Sequence, residues 1–190
     1  NFENCFDGKY ENKKCWIGID PSSVGDDNTI VSIINTDDTV KQYKVEGTLD
    51  QKYEKIARII NDYNPVATYI ENNSIGEVMA NEIKKKLLRK SNFYSFTTTN
   101  DSKKQYISML AVDIANNAIH FEEDNKLLYS ELSTFTFKLT KGGNITYAAR
   151  DGFHDDTVTS LGVCLQCRND FKYSGLNNMN FITTKRKLLY

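Results

Sequence analysis

Cys15-Trp16-Ile17-Gly18-Ile19-Asp20-Pro21-Ser22-Ser23-Val24-Gly25-Asp26-Asp27 is a short apolar run that ends on a carboxylate and then turns sharply. Trp16, Ile17 and Ile19 suit a buried strand, while the Pro, Ser and Gly residues after Asp20 must turn the chain. A strand that delivers a carboxylate to the end of a sheet holds it where desolvation is costly unless a cation or several donors compensate. Alternatively Asp20 starts the turn through Asx-type hydrogen bonds, and the stretch alone leaves both readings open.

Outward from it, Asn28 to Asn35 is rich in β-branched residues, and Val40 to Gly47 alternates apolar and polar at period two. With Thr36 to Thr39 as a hairpin turn, three antiparallel strands are expected. Leu49, Tyr53, Ile56, Ala57 and Ile60 have helical spacing over Leu49 to Tyr63, and Asn64-Pro65 ends that helix. Val66 to Glu71 is a fourth strand, again ending on a carboxylate. A right-handed crossover places it parallel to the first strand, so Asp20 and Glu71 emerge at the same end of the sheet.

Ser74 and Glu77 have the spacing of a capping box for a helix reaching about Lys90. Asn92 to Thr97 is a fifth strand. Asp101-Ser102 is expected to cap a helix with Ile107, Leu110, Ala111, Ile114 and Ala118 on one face. Lys103 and Lys104 stand in its first turn, where the helix dipole does not favour cations, so one of them has either another role or simple exposure. A short helix at Lys126 to Leu132 leads to Phe135 to Thr140 and Ile145 to Ala149, a hairpin around Lys141-Gly142-Gly143-Asn144. Finally Val158, Leu161, Cys164 and Leu165 form a helical stripe behind Asp155-Asp156, two acids that suit either capping or ligation.

The 190 residues fit one domain, and 39% hydrophobic with 26% charged residues is ordinary for a globular chain. Residues 1–13 are expected to be a leader or linker, 14–168 the domain and 169–190 a tail carrying Lys185-Arg186-Lys187. A net charge of −1 selects no partner by itself. Four cysteines, with Cys15 in a core strand, indicate no disulfide framework and a reducing compartment. Cys164 and Cys167 form a CxxC with no second pair at zinc spacing, so buried thiols are expected. No secretory signal or membrane-length apolar run is present, and a chain beginning at Asn1 suggests a piece of something larger.

Asp20, Glu71 and Asp155-Asp156 thus sit on the first strand, the fourth strand and a late helix. In that order the motifs Gly18-Ile19-Asp20-Pro21-Ser22 with Gly25, Asp27 and Thr29, then Ile70-Glu71-Asn72-Asn73 with Ile75-Gly76, then Ser102-Lys103 with Ile107, then Gly152-Phe153-His154-Asp155-Asp156 with Ser160-Leu161 resemble the nuclease domain of the large terminase subunit of tailed bacteriophages. The resemblance spans about Lys14 to Cys167. It implies a ribonuclease H-like α/β fold: a mixed sheet of three antiparallel strands followed by parallel strands, flanked by helices, with an additional β-hairpin.

It further implies an endonuclease that cuts concatemeric viral DNA during genome packaging in the host cytoplasm, using two Mg²⁺ or Mn²⁺ ions. Hard divalent ions take carboxylate oxygens, which fits an all-acidic set. Asp20 would be the shared ligand, Glu71 a ligand on one side and Asp155 or Asp156 on the other, the choice between them left open. Lys103 would contact the scissile phosphate and His154 would orient water or phosphate; Asp27 suits an outer ligand or the turn. Lys84, Lys85, Lys86, Arg89 and Lys90, the hairpin's Lys138, Lys141 and Arg150, and the basic tail are candidate contacts to the backbone of double-stranded DNA.

No G-x-x-x-x-G-K-[ST] loop occurs, so the ATPase motor would be an N-terminal domain of the same polypeptide, with portal and small terminase subunit as implied partners and no membrane. The rivals are a junction resolvase or an RNA–DNA hybrid nuclease of the same fold. From other classes come an actin-like or sugar-kinase-like nucleotide-binding module, which Gly18 to Ser23 also resembles, and a non-catalytic packaging component.

Overall fold

The structure, a computed structural model, describes residues 2–22, 28–72, 74–139, 145–149 and 154–172. Strands β1 (Cys15–Asp20), β2 (Thr29–Asn35) and β3 (Thr39–Val45) are followed by helix α1 (Leu49–Tyr63), β4 (Thr68–Glu71) and α2 (Ser74–Lys86). Then come β5 (Phe93–Phe96), α3 (Asn100–Ala115), β6 (His120–Phe121), α4 (Lys126–Thr134), a hairpin of β7 (Phe135–Leu139) and β8 (Ile145–Ala149), and α5 (Asp156–Phe171).

Six strands form one mixed sheet in the order β5-β4-β1-β2-β3-β6. β1 to β3 pair antiparallel, whereas β4 lies parallel to β1 with Ile17 opposite Thr68 and Ile19 opposite Ile70, and β5 parallel to β4. The fold class expected from the sequence is therefore the one observed. The parallel register puts Asp20 and Glu71 one residue past the Ile19–Ile70 pair on adjacent strands.

Strand alternation divides the core between two faces. Ile17, Ile19, Val31 and Ile33 pack under α1 and α2, which contribute Tyr53, Ile56, Ile60, Met79 and Ile83. Trp16, Ile34 and Tyr69 point the other way, toward α3, α4 and α5. By the same alternation Asp20 follows Trp16 and Gly18, and Glu71 follows Tyr69, onto the α5 face. Each large apolar side chain so buried stabilises the fold by about 1.5–3 kcal/mol.

α5 lies deepest: every residue from Asp156 to Cys167 is buried. It approaches β1 closely because Gly18 lacks a side chain; a Cβ there would stand 2.2 Å from the Cys164 nitrogen. Ser160 Oγ bridges to the carbonyls of Gly18 and Ile30 at 3.1 Å each, and the Cys164 thiol donates to the Trp16 carbonyl at 3.3 Å. All four cysteines are buried free thiols.

Several boundaries differ from the sequence reading. α2 ends at Lys86, not near Lys90, because Leu87 turns into the core and the Asn61 side chain takes the Lys86 carbonyl and the Leu88 N–H. Thr99, not Asp101, caps α3 in a capping box with Ser102. The face of α3 that is buried includes Tyr106 with Ile107 and Leu110, while Ala111 and Ala118 are exposed. β6 was not expected, since two residues are too short for a periodic signal.

The segment expected to be a leader packs on the domain: Phe2–Cys5 forms a turn of 3-10 helix, Cys5 is buried, and Phe6 packs tilted against Phe121 and edge-on against Tyr129. Gly8 then bridges Glu122. No helix among the described residues is long and apolar enough to cross a membrane.

Candidate metal centre

β1 and β4 deliver Asp20 and Glu71 side by side at the end of the sheet. Asp20 is half-buried. Burial first, then a hydrogen bond with Glu71 and the negative charges of Glu71, Asp156 and Asp155, push its carboxyl well above the usual carboxylate range. Three of the carboxylates singled out in the sequence are thus close enough to act on the fourth, Asp20. Gly76 at the head of α2 completes the setting of Glu71: a Cβ there would meet the Glu71 carbonyl oxygen at 1.9 Å and Pro21 Cγ at 3.1 Å. The side chain of Ser74, the expected cap, lies outside the described residues.

The two acids at α5 have separate tasks. Asp156 is buried, and its Oδ2 accepts from the Asn28 backbone N–H at 2.7 Å and from Asn28 Nδ2 at 3.0 Å. Asp155 occupies the N-cap position but makes no side-chain cap hydrogen bond; its Oδ2 lies 3.3 Å from Lys103 Nζ. The cap comes from Glu131 of α4, whose Oε2 accepts from the Thr157 N–H at 2.8 Å, the Thr157 hydroxyl at 2.5 Å and the Val158 N–H at 3.4 Å. Burial pushes the Glu131 carboxyl up, against the pull of those hydrogen bonds.

Two supporting residues escaped sequence reasoning although a signal existed. Glu131 shares a helical face with Leu128 and Leu132, and Lys52 one with Leu49 and Ile56, so each is a charge placed on an apolar stripe. Lys52 is buried, and its ammonium donates to the Ser22 carbonyl at 3.1 Å, the Ser22 hydroxyl at 3.3 Å and Thr29 Oγ1 at 3.1 Å. It therefore ties α1 to the turn after Asp20, and desolvation lowers its pKa. Tyr106, one turn beyond Lys103, is also in the site's field: burial raises its hydroxyl pKa first, then the charges of Glu71, Asp20 and Asp155.

Lys103 is brought to the centre, with its ammonium on Asp155, and His154 lies exposed immediately before that residue. Lys84, Lys85, Lys86, Arg89 and Lys90 are not brought there. α2 starts at the site and runs away from it, so its last turn lies about 18 Å along the axis. Lys85 pairs with Glu82 at 2.6 Å and Lys86 with Glu54 at 2.5 Å. The β7–β8 hairpin packs through β8 against α3, the helix that carries Lys103. Lys141, Arg150, Asp27 and residues 173–190 of the expected tail fall outside the described residues, as does the side chain of Lys138.

The donor set is all carboxylate oxygen, the chemistry that Mg²⁺ and Mn²⁺ take, and the repulsion felt by Asp20 is what a divalent cation would relieve. Among the described residues no three His, Cys, Asp or Glu side chains already stand as a closed ligand set. Asp155 is turned to Lys103 instead.

A mixed sheet with this strand order, and acidic residues at the ends of adjacent β1 and β4 and at the head of α5, defines a ribonuclease H-like α/β domain. Residues 17–166 match the family model described as Terminase RNaseH-like domain, and the chain belongs to that family. It is similar to the nuclease domain of the large terminase subunit gp2 of bacterial virus Sf6, with a TM-score of 0.72 and 12% identity over 87% of this chain and 96% of that one. The large terminase nuclease of thermophilic phage G20c superimposes with a TM-score of 0.70 and 22% identity over 80% of this chain and 81% of that one. The G20c nuclease has also been solved with bound magnesium, and a mutant of the Sf6 domain with manganese. No curated protein matches the chain.

Proposed function

We propose that this domain is the nuclease part of a phage large terminase, a metal-dependent endonuclease that cuts concatemeric double-stranded DNA during genome packaging. The observation that carries the reading is the meeting of Asp20 with Glu71, Asp155 and Asp156, where burial first and then the neighbouring carboxylates oppose its ionisation, a cost that a bound cation offsets. The relatives solved with magnesium and manganese support the same ion class here. Two divalent ions held by Asp20, Glu71 and the acids of α5 would supply the positive charge that neutralises a phosphate and the polarisation that activates a water.

The chain's residues divide the remaining work. Asp20, whose carboxyl feels Glu71 and both acids of α5, would be the shared ligand. Glu71 serves one ion. Asp155, which makes no cap hydrogen bond, would serve the other, with Asp156 anchored through Oδ2 to Asn28. Lys103 is then freed from Asp155 to meet a phosphate oxygen, and exposed His154 orients water or phosphate. Lys138, Lys141 and Arg150 contact the DNA backbone from the hairpin beside α3, so binding weakens with salt. An N-terminal ATPase domain of the same polypeptide, the portal and the small terminase subunit complete the machine in the host cytoplasm.

The test is relaxation of supercoiled plasmid with Mn²⁺, Mg²⁺ or chelator. Nicking is expected with either ion, to stop with chelator, and to fall about 100-fold or more in Asp20→Ala and Glu71→Ala. Nicking that survives both substitutions rules out the site. Faster cutting of four-way junctions or RNA–DNA hybrids than of linear duplex would replace the packaging role with resolvase or hybrid-nuclease activity.

A further inference from the structure

We propose that Glu131 is a positioning residue for the metal centre: by capping α5 from α4, it releases Asp155 to serve as a ligand. The inference rests on the reading of Asp155 as a metal ligand given above. An acidic N-cap residue ordinarily accepts from the N–H of the second or third residue of its own helix. Asp155 holds that position in α5 and makes no such bond; its backbone, at φ −131° and ψ 21°, also departs from the extended conformation usual there.

The N–H groups that Asp155 would satisfy belong to Thr157 and Val158, and both donate to Glu131 Oε2, 26 and 27 residues earlier in the chain. The Thr157 hydroxyl donates to the same oxygen. The helix therefore keeps a negative charge on its amino end without using Asp155 for it.

This arrangement is the costlier of two available. Glu131 is 4% exposed, and its Oε1 is buried without a hydrogen-bond partner among the described residues. Burial raises its pKa even though Oε2 accepts three hydrogen bonds. A half-satisfied buried carboxylate is expensive, whereas an Asp155 cap would satisfy the same N–H groups with a side chain that is 27% exposed. The extra expense is accounted for if Asp155 must face Asp20 and Glu71. Asp156 is anchored through Oδ2 by both donors of Asn28.

The test measures Mn²⁺ binding by calorimetry, with thermal unfolding in chelator alongside, on the intact protein and on Glu131→Gln, Glu131→Ala, Asp155→Asn and the Glu131→Ala/Asp155→Asn double variant. The amide oxygen of Glu131→Gln still accepts from Thr157 and Val158, so its affinity stays within about threefold. Glu131→Ala lets Asp155 fall back onto the cap and weakens Mn²⁺ binding about 10- to 100-fold. In the Asp155→Asn background the same change has little further effect, a coupling that general loosening would not produce. If Glu131→Ala does not fold, Glu131→Asp, set back by one methylene, must show the weakening. Failure of the wild type to bind Mn²⁺ overturns the metal site itself. A wild type that binds, with Glu131→Ala or Glu131→Asp binding equally well or paying its full penalty without Asp155, overturns the positioning role alone.

Discussion

Asp20 shares its end of the sheet with Glu71, Asp155 and Asp156, and without a cation it resists ionisation. A raised folded-state pKa means that the native state binds more protons than the unfolded chain, so stability is greatest below the unfolded aspartate pKa of about 3.9 and is lost as pH rises through the raised value. Asp20→Asn removes that loss. In chelator at neutral pH the variant is expected to melt above wild type, by about 2–4 °C for each kcal/mol released. The difference should shrink toward pH 4, and saturating Mn²⁺ should reverse it, because only wild type gains from the ion. Calorimetric melting across pH, with and without Mn²⁺, reads all three effects. A variant that melts below wild type in chelator at neutral pH would mean that Asp20 is stabilised by its surroundings.

Lys52 acts at the same scale from the opposite face of the sheet. Its ammonium holds the Ser22 carbonyl and the Ser22 and Thr29 hydroxyls. Lys52→Met leaves those buried acceptors short of a donor, which costs about 1–3 kcal/mol. A fall in the denaturant midpoint, with Mn²⁺ affinity falling more than in a core variant of equal stability loss, is the expected signature.

At the scale of elements, the site depends on two close approaches that only glycine permits. Gly18→Ala would drive a Cβ to 2.2 Å from the Cys164 nitrogen and 2.5 Å from its Cα, backbone atoms that cannot rotate away. About 3 kcal/mol of destabilisation is expected, the upper range for overpacking, measured by urea unfolding. Gly76→Ala would instead push on the Glu71 carbonyl. It should weaken metal binding more than overall stability, the reverse of the Gly18 variant.

Elements were also where the sequence was most legible. Helical spacing gave α1 its bounds from Leu49 to Tyr63, because its apolar stripe ends at an Asn-Pro stop. The strands ending at Asp20 and Glu71 were equally plain. α2 was overextended to Lys90, since its run of lysines continues helical propensity past the point where the Asn61 side chain takes over the last backbone groups. The capping reading of Asp155-Asp156 could not be decided locally: the competing cap, Glu131, sits on another helix.

For the whole molecule, the amino-terminal segment and the metal centre occupy opposite ends of the sheet. β6 pairs with the start of β3, and Phe6 packs on Phe121 at that end. Phe6→Ala should therefore cost about 2 kcal/mol, less than the 3–5 for a fully buried ring, while leaving Mn²⁺ affinity unchanged. A change in affinity would show that the two ends are coupled through the sheet.

The sequence by itself determined the strand and helix order apart from β6, the parallel crossover and the emergence of Asp20 and Glu71 at one end of the sheet, while the resemblance implied that Asp155-Asp156 joins them. These follow from apolar periodicity, turn residues and the handedness of connections, all written within short windows. The tertiary structure alone set the two acids of α5 apart: Asp156 accepts from Asn28, and Asp155 faces Lys103. Asp155 and Asp156 are adjacent, identical and both suited to a helix start, and what separates them is supplied by Asn28, Lys103 and Glu131 from three distant elements. Hydrogen bonds between residues far apart in the chain leave no local pattern, so a carboxylate's role is fixed only when folding brings its competitors and partners together.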